Sequence, residues 1–157
     1  MAKKGRCGWG KFRTFQERGE WVELVFMAAA LLHGFHALKP WGESRPYDVG
    51  IEVLGGLLRV QVKSTMLRTG TGYYCRLRRG YRSRAAYSLK EIDLFAAYVV
   101  PEKVWYLIPA KVLLVGKKKM KDGIMLCPVS GKRHGCKYEH YREAWGQLGM
   151  SREELGR

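Results

Sequence analysis

Pro46-Tyr47-Asp48-Val49-Gly50-Ile51-Glu52-Val53-Leu54-Gly55-Gly56-Leu57-Leu58-Arg59-Val60-Gln61-Val62-Lys63 is the stretch that decides the fold. Val49, Ile51 and Val53 alternate with Asp48, Gly50 and Glu52, and Leu58, Val60 and Val62 alternate with Arg59, Gln61 and Lys63. Period two is the mark of half-buried strands. Gly55-Gly56 between the two runs predicts a hairpin, because the central positions of a two-residue turn take positive φ. With that turn, Leu54 faces Leu57, Gly50 faces Gln61 and Asp48 faces Lys63, which makes Gln61 a diagonal neighbour of Asp48. The three polar side chains then share the face away from the Val/Ile packing, and Gly50 leaves room beside them.

Working outward, residues 16–33 read as a helix, with Trp21, Leu24, Val25, Ala28, Leu31 and Leu32 on an apolar face and Gly34 as its stop. Residues 35–39 read as a short strand and 40–46 as a loop. Residues 73–77, 92–100 and 104–108 read as further strands, of which 92–100 also fits a helix. Residues 109–115 suit a short helix, 117–121 a lysine-rich turn and 138–148 a helix. Trp105, Tyr106 and Trp145 sit in apolar patterns and are expected in the core. This reads as an α/β chain with a basic N-terminal arm (1–15) and a single domain (16–157), as 157 residues suit.

The chain carries 29 Lys+Arg against 14 Asp+Glu, a formal net charge of +15. That excess makes a polyanion the first partner to consider. With 46% apolar residues, the chain is not a disordered basic tail. Its longest apolar run, within 21–32, is too short to span a bilayer. No secretory signal is visible, and a cytoplasmic location is expected. Cys7, Cys75, Cys127 and Cys136 form no CxxC pair and no disulfide framework. Cys127, His134, Cys136 and His140 lie close together but fit no common zinc spacing, so reduced thiols and surface histidines are expected.

Asp48, Gln61 and Lys63 bring a carboxylate, an amide oxygen and an ammonium to one point, which suits phosphodiester hydrolysis. The oxygens can hold Mg²⁺, the metal acidifies a bound water, and the lysine stabilises developing negative charge. An exposed strand face with one Asp–Lys pair fits the same spacing. After the hairpin come Arg76, Arg78, Arg79, Arg82 and Arg84, interleaved with Tyr73, Tyr74, Tyr81 and Tyr87. If 73–77 extends the same sheet, these arginines run beside the polar face and suit double-stranded DNA; a solvated basic loop is the plainer alternative.

The segment resembles the PD-(D/E)XK nuclease superfamily, whose pattern is an acid on a first helix, an Asp starting a strand, and (D/E)-X-K on the next strand. The flanks are similar to its group I intron-associated homing endonucleases, which put glutamine in the acidic slot. The matching stretches are Gly19–Leu24, Lys39-Pro40-Trp41-Gly42, Tyr47-Asp48 and Arg59–Lys63, with weaker support from Glu91–Phe95, Tyr106–Pro109 and Tyr138–Leu148. The resemblance implies a restriction-endonuclease-like core, Mg²⁺-dependent site-specific cleavage of double-stranded DNA, and a homodimer or homotetramer. It implies Asp48, Gln61 and Glu23 as metal-site residues and Lys63 as the catalytic lysine, with Glu20 the competitor for the helical acid. Tyr47 stands where the pattern has proline, and Gln61 removes one negative charge. Glu52 shares the Asp48 face but lies roughly 13 Å along the strand, too far to be a ligand. A junction resolvase or a metal-free DNA-binding relic are the alternatives.

Overall fold

The computed structural model describes residues 12–80, 85–116, 119–129 and 136–156. Helix α1 (Phe15–Leu32) begins where Thr14 Oγ1 accepts the Glu17 N–H at 3.0 Å, with the Glu17 carboxylate in the first turn. It ends at Gly34, whose φ of +83° turns the chain out. The packed face of α1 is Val22, Phe26 and Ala30. Leu24 (67% exposed), Leu31 and Leu32 (85%) point outward, so most of the stripe read from the sequence lies on the wrong side. From Leu24 to Leu32 the helix is apolar all round, which leaves periodicity little to discriminate.

Five strands form the main sheet in the order β1-β2-β3-β6-β7: β1 (Ala37–Leu38), β2 (Val49–Val53), β3 (Gly56–Thr65), β6 (Leu94–Val99) and β7 (Val104–Pro109). Only the β3–β6 pair is parallel; the other pairs are antiparallel. Between β3 and β6 the chain makes β4 (Arg68–Thr69) and β5 (Gly72–Arg76). After β7 come β8 (Leu114–Val115), β9 (Lys119–Met120) and β10 (Gly123–Leu126). β5 pairs with β4 and β10 in a separate three-stranded sheet, so 73–77 does not extend the main one.

One face of the main sheet packs Val49, Ile51, Val60 and Leu107 against α1 and Trp145. The other packs Phe95, Ala97, Tyr106 and Ile108 against β5 and β10. β6 is therefore buried on both faces, which explains an apolar run without alternation. Trp105, Tyr106 and Trp145 are core residues, as expected. Residues 110–113 form a 3-10 helix. Residues 138–148 form no α-helix but two 3-10 turns, Glu139–Tyr141 and Trp145–Gly149, followed by a short α2 (Arg152–Gly156). Glu143, at φ +49°, breaks the run there; its carboxylate accepts the Trp105 N–H at 2.6 Å and the Trp145 indole N–H at 2.7 Å.

Cys127 and Cys136 form a disulfide, with Cα atoms 5.5 Å apart, which corrects the expectation of reduced thiols and takes both from any zinc set. His140 packs at a tilt against Tyr141, and His134 lies outside the described residues. So do residues 1–11 of the basic arm, and Lys117 and Lys118 of the lysine turn. Among the described residues, no helix is long and apolar enough to cross a membrane.

Candidate active site

The hairpin forms, but with a turn at Leu54-Gly55 rather than Gly55-Gly56. Val49 pairs with Val60, Gly50 with Arg59 and Val53 with Gly56, and Gly55 takes φ +83°. One positive-φ glycine suffices here, and Gly56 already belongs to β3. The register is displaced by two residues from the expected one. An even displacement keeps every side chain on its face, whereas a slip of one would have inverted both strands. What changes is the partner: carried one residue past Val49, the ladder sets Asp48 against Gln61, not against Lys63. The room expected over Gly50 is filled, since a Cβ there would meet the Leu57 side chain at 2.9 Å. Glu52 is exposed and faces Leu57, away from the site.

Asp48 stands just before β2, at the end of the strand. Its N–H donates to the Val60 carbonyl at 3.0 Å, and its Oδ2 accepts the Val62 N–H at 2.9 Å and a hydrogen bond from Gln61 Nε2. Gln61 is buried, and its amide turns Nε2 to the carboxylate because oxygen against oxygen would repel. Burial, and after it the charge of Glu23 on α1, push the Asp48 carboxyl up to about 6. The Val62 N–H, Lys63 and Lys39 pull the other way without cancelling that rise. Glu23 itself is ion-paired with Lys39. Glu20 is exposed and accepts a hydrogen bond from Gln16 Nε2 at 3.2 Å, whereas Glu23 is the helical acid whose charge acts on Asp48.

Lys63 is half-buried on the face that carries the second core. Its Nζ donates to the Arg78 carbonyl at 3.1 Å and to the Tyr87 hydroxyl at 3.2 Å. Burial lowers its pKa from the ordinary lysine value, opposed chiefly by Asp48. Cys75 of β5 is fully buried near it; burial pushes this thiol up to about 12 against the pull of Lys63 and Arg18. Farther along β3, Arg59 donates its N–H, Nε and Nη2 to Asp93 at 2.8–2.9 Å.

The arginines are placed differently from one another. Arg76 ends β5 with an exposed side chain. Arg78 is ion-paired with Asp122, and Arg79 with Glu91. β5 stops before Arg78, so Arg76 and Arg78 do not share a strand face. Arg82 and Arg84 lie outside the described residues. Sequence reasoning missed Lys39 and Tyr87 as site neighbours. Lys39 lay in a quoted motif and Tyr87 in the basic segment, but only the tertiary fold brings them to Glu23 and Lys63.

A family model for PD-(D/E)XK endonucleases matches residues 14–142, a span that holds Glu23, Asp48, Gln61 and Lys63. The chain belongs to the PD-(D/E)XK endonuclease family. The fold agrees: a solved bacterial homing endonuclease, I-Ssp6803I, superposes with a TM-score of 0.68 at 26% identity, over 87% of this chain and 92% of that one. No curated protein matches the chain. This PD-(D/E)XK endonuclease has the mixed central sheet and packed N-terminal helix expected of it.

The donor set at Asp48 is hard oxygen: two carboxylates, Asp48 and Glu23, and the Gln61 amide. No cluster of three His, Cys, Asp or Glu side chains occurs among the described residues, so the amide is needed to complete a third donor. A buried carboxyl pushed up first by burial and then by the charge of Glu23, beside a neutral amide oxygen, fits a hard cation that keeps several waters, as Mg²⁺ does.

Proposed function

We propose that the protein is a Mg²⁺-dependent, site-specific endonuclease of double-stranded DNA. The observation that carries this reading is the Gln61–Asp48 hydrogen bond, with Glu23 and the half-buried Lys63 near enough for their charges to act on Asp48. Asp48, Glu23 and the Gln61 oxygen would hold the metal, which when bound polarises the phosphate and acidifies a water. The Val62 N–H and the Gln61 amide fix the Asp48 carboxylate in place. Lys63 offers its positive charge to the phosphate oxygen on which negative charge builds, an interaction that matters more in the transition state than in the bound ground state. The net charge of +15 supplies sequence-independent attraction to DNA, and Arg76 presents an exposed cation at the end of β5.

One chain supplies one such centre, and cutting both strands takes two, so we assign a homodimer or homotetramer. The outward apolar stripe of Leu24, Leu31 and Leu32 offers a surface for association. We propose further that the enzyme is of the homing type, as the similar bacterial homing endonuclease and the resemblance to group I intron-associated enzymes suggest, and that it acts in the cytoplasm.

The test is cleavage of a supercoiled plasmid library of randomised inserts, with and without Mg²⁺, beside Lys63→Ala. Linear products at a defined sequence, lost without Mg²⁺ and in Lys63→Ala, are expected. Binding of DNA without any cleavage would leave a non-catalytic DNA-binding protein in its place. Preferential cutting of a four-way junction over linear duplex would make it a structure-selective nuclease.

A further inference from the structure

Tyr87 lies outside the motif residues, in the segment that leads into β6, yet its side chain is buried against Lys63. The lysine ammonium has three N–H bonds. One goes to the Arg78 carbonyl at 3.1 Å and one to the Tyr87 hydroxyl at 3.2 Å. With two acceptors fixed, the direction of the third follows. Tyr87 is itself held firmly. Its ring packs edge-to-face on Phe95 of β6, with centroids 5.7 Å apart, and the Arg79 guanidinium lies 4.7 Å from its ring centre. Arg79 is tied to Glu91, whose other oxygen accepts the Ser88 N–H at 2.9 Å and the Ser88 hydroxyl at 3.0 Å. Ser88 follows Tyr87 directly, so this network clamps the chain on which the phenol is carried.

We propose that Tyr87 is a positioning residue for Lys63: its hydroxyl, with the Arg78 carbonyl, aims the remaining ammonium N–H at the phosphate oxygen on which charge develops. The proposal rests on the nuclease reading above. A flexible four-carbon stem does not hold a direction by itself, and fixing it in advance removes a cost from the reacting complex. Tyr87→Phe deletes the acceptor and keeps the ring, its contact with Phe95 and its stacking under Arg79. The rate suffers and DNA binding does not, because the lysine remains, charged but loosely aimed. Small misplacements of this kind cost on the order of ten- to a hundredfold in rate.

The experiment takes the duplex best cleaved by the wild type. It measures the single-turnover cleavage rate at saturating protein, DNA affinity without added metal, and the thermal midpoint, for wild type, Tyr87→Phe and Lys63→Ala. The expected result for Tyr87→Phe is a rate lower by about tenfold or more, with affinity within about twofold of wild type and an unchanged midpoint. A second variant, Tyr87→Leu, loses ring and hydroxyl together and is expected to lower the midpoint as well. A wild-type rate in Tyr87→Phe overturns the proposal, as does a rate loss that appears only alongside equal losses of affinity and midpoint. If Lys63→Ala cleaves like wild type, the nuclease reading falls; if Lys63→Ala is dead and Tyr87→Phe is unaffected, only the role of Tyr87 falls.

Discussion

Gln61 donates its amide to the Asp48 carboxylate from the opposed position of the β2–β3 ladder. A neutral side chain thus stands where the wider family pattern puts an acid, and it acts on its neighbour as a donor. It steadies one carboxylate instead of adding a second charge beside it.

Gln61→Glu reverses that relationship. The donor is lost and two carboxylates face each other across the ladder, which destabilises the metal-free protein by roughly 1–3 kcal/mol at neutral pH. Mg²⁺ affinity rises, because a carboxylate attracts the cation more strongly than an amide does. Chemical denaturation in a chelator, followed by Mg²⁺ titration, checks both. Equal metal-free stabilities at pH 7 would refute the account.

Asp48 carries a pH dependence of definite sign. Its carboxyl is pushed from 3.8 up to about 6 by burial first and Glu23 second. The folded protein therefore holds this proton more tightly than the unfolded chain. The stability that results is present in full below the unfolded value and is lost as pH rises through about 6. A rise of two units corresponds to roughly 3 kcal/mol. Metal-free Asp48→Asn is accordingly more stable than wild type at pH 7, by up to about that amount, and the gain shrinks towards pH 4. The same variant does not cleave, and wild-type cleavage falls as pH drops below about 6. Urea unfolding at the two pH values, with a cleavage pH profile, tests the pair of statements.

Glu23→Gln is expected to slow Mg²⁺-dependent cleavage by at least about tenfold, and Glu20→Gln to have a milder effect. Glu23 acts on Asp48 and pairs with Lys39, whereas Glu20 is exposed and meets Gln16. Initial rates over a Mg²⁺ titration separate them. A dead Glu20→Gln beside an active Glu23→Gln would reverse the assignment of the helical acid.

Among the arginines, Arg76→Ala is expected to weaken binding to target and scrambled duplex alike and to lower the salt slope by about one. Arg79→Ala removes an internal ion pair with Glu91 and the cation over the Tyr87 ring, so its first effect is on thermal stability. Affinities at several salt concentrations, read beside melting curves, distinguish the two. A wild-type salt slope in Arg76→Ala would place the DNA path elsewhere.

The strand alternation of residues 48–63 was enough to place Asp48, Gln61 and Lys63 on one side of a hairpin, because parity survives a two-residue shift of register. Their pairing was not legible. Either Leu54-Gly55 or Gly55-Gly56 permits a tight turn, and the register that forms sets the Leu57 side chain over Gly50. The inward face of α1 was equally hidden, since Leu24, Leu31 and Leu32 look as buriable as Val22, Phe26 and Ala30. The acceptors of Lys63 come from Arg78 and Tyr87, which reach it only after the chain has turned through β4 and β5. The helical appearance of 138–148 was undone at Glu143, whose N–H and carboxylate both bond Trp105 of the edge strand β7. No local pattern announces a contact of that range.

Cys75 gives the folded molecule a silent chemical reporter. Its thiol is fully buried and holds its proton to about 12, so at neutral pH it offers an alkylating reagent neither access nor thiolate. Its modification waits for the floor beneath Lys63 to part from the main sheet. The rate at which that thiol becomes labelled in native buffer measures how often the second core opens, a local excursion that global melting curves average away.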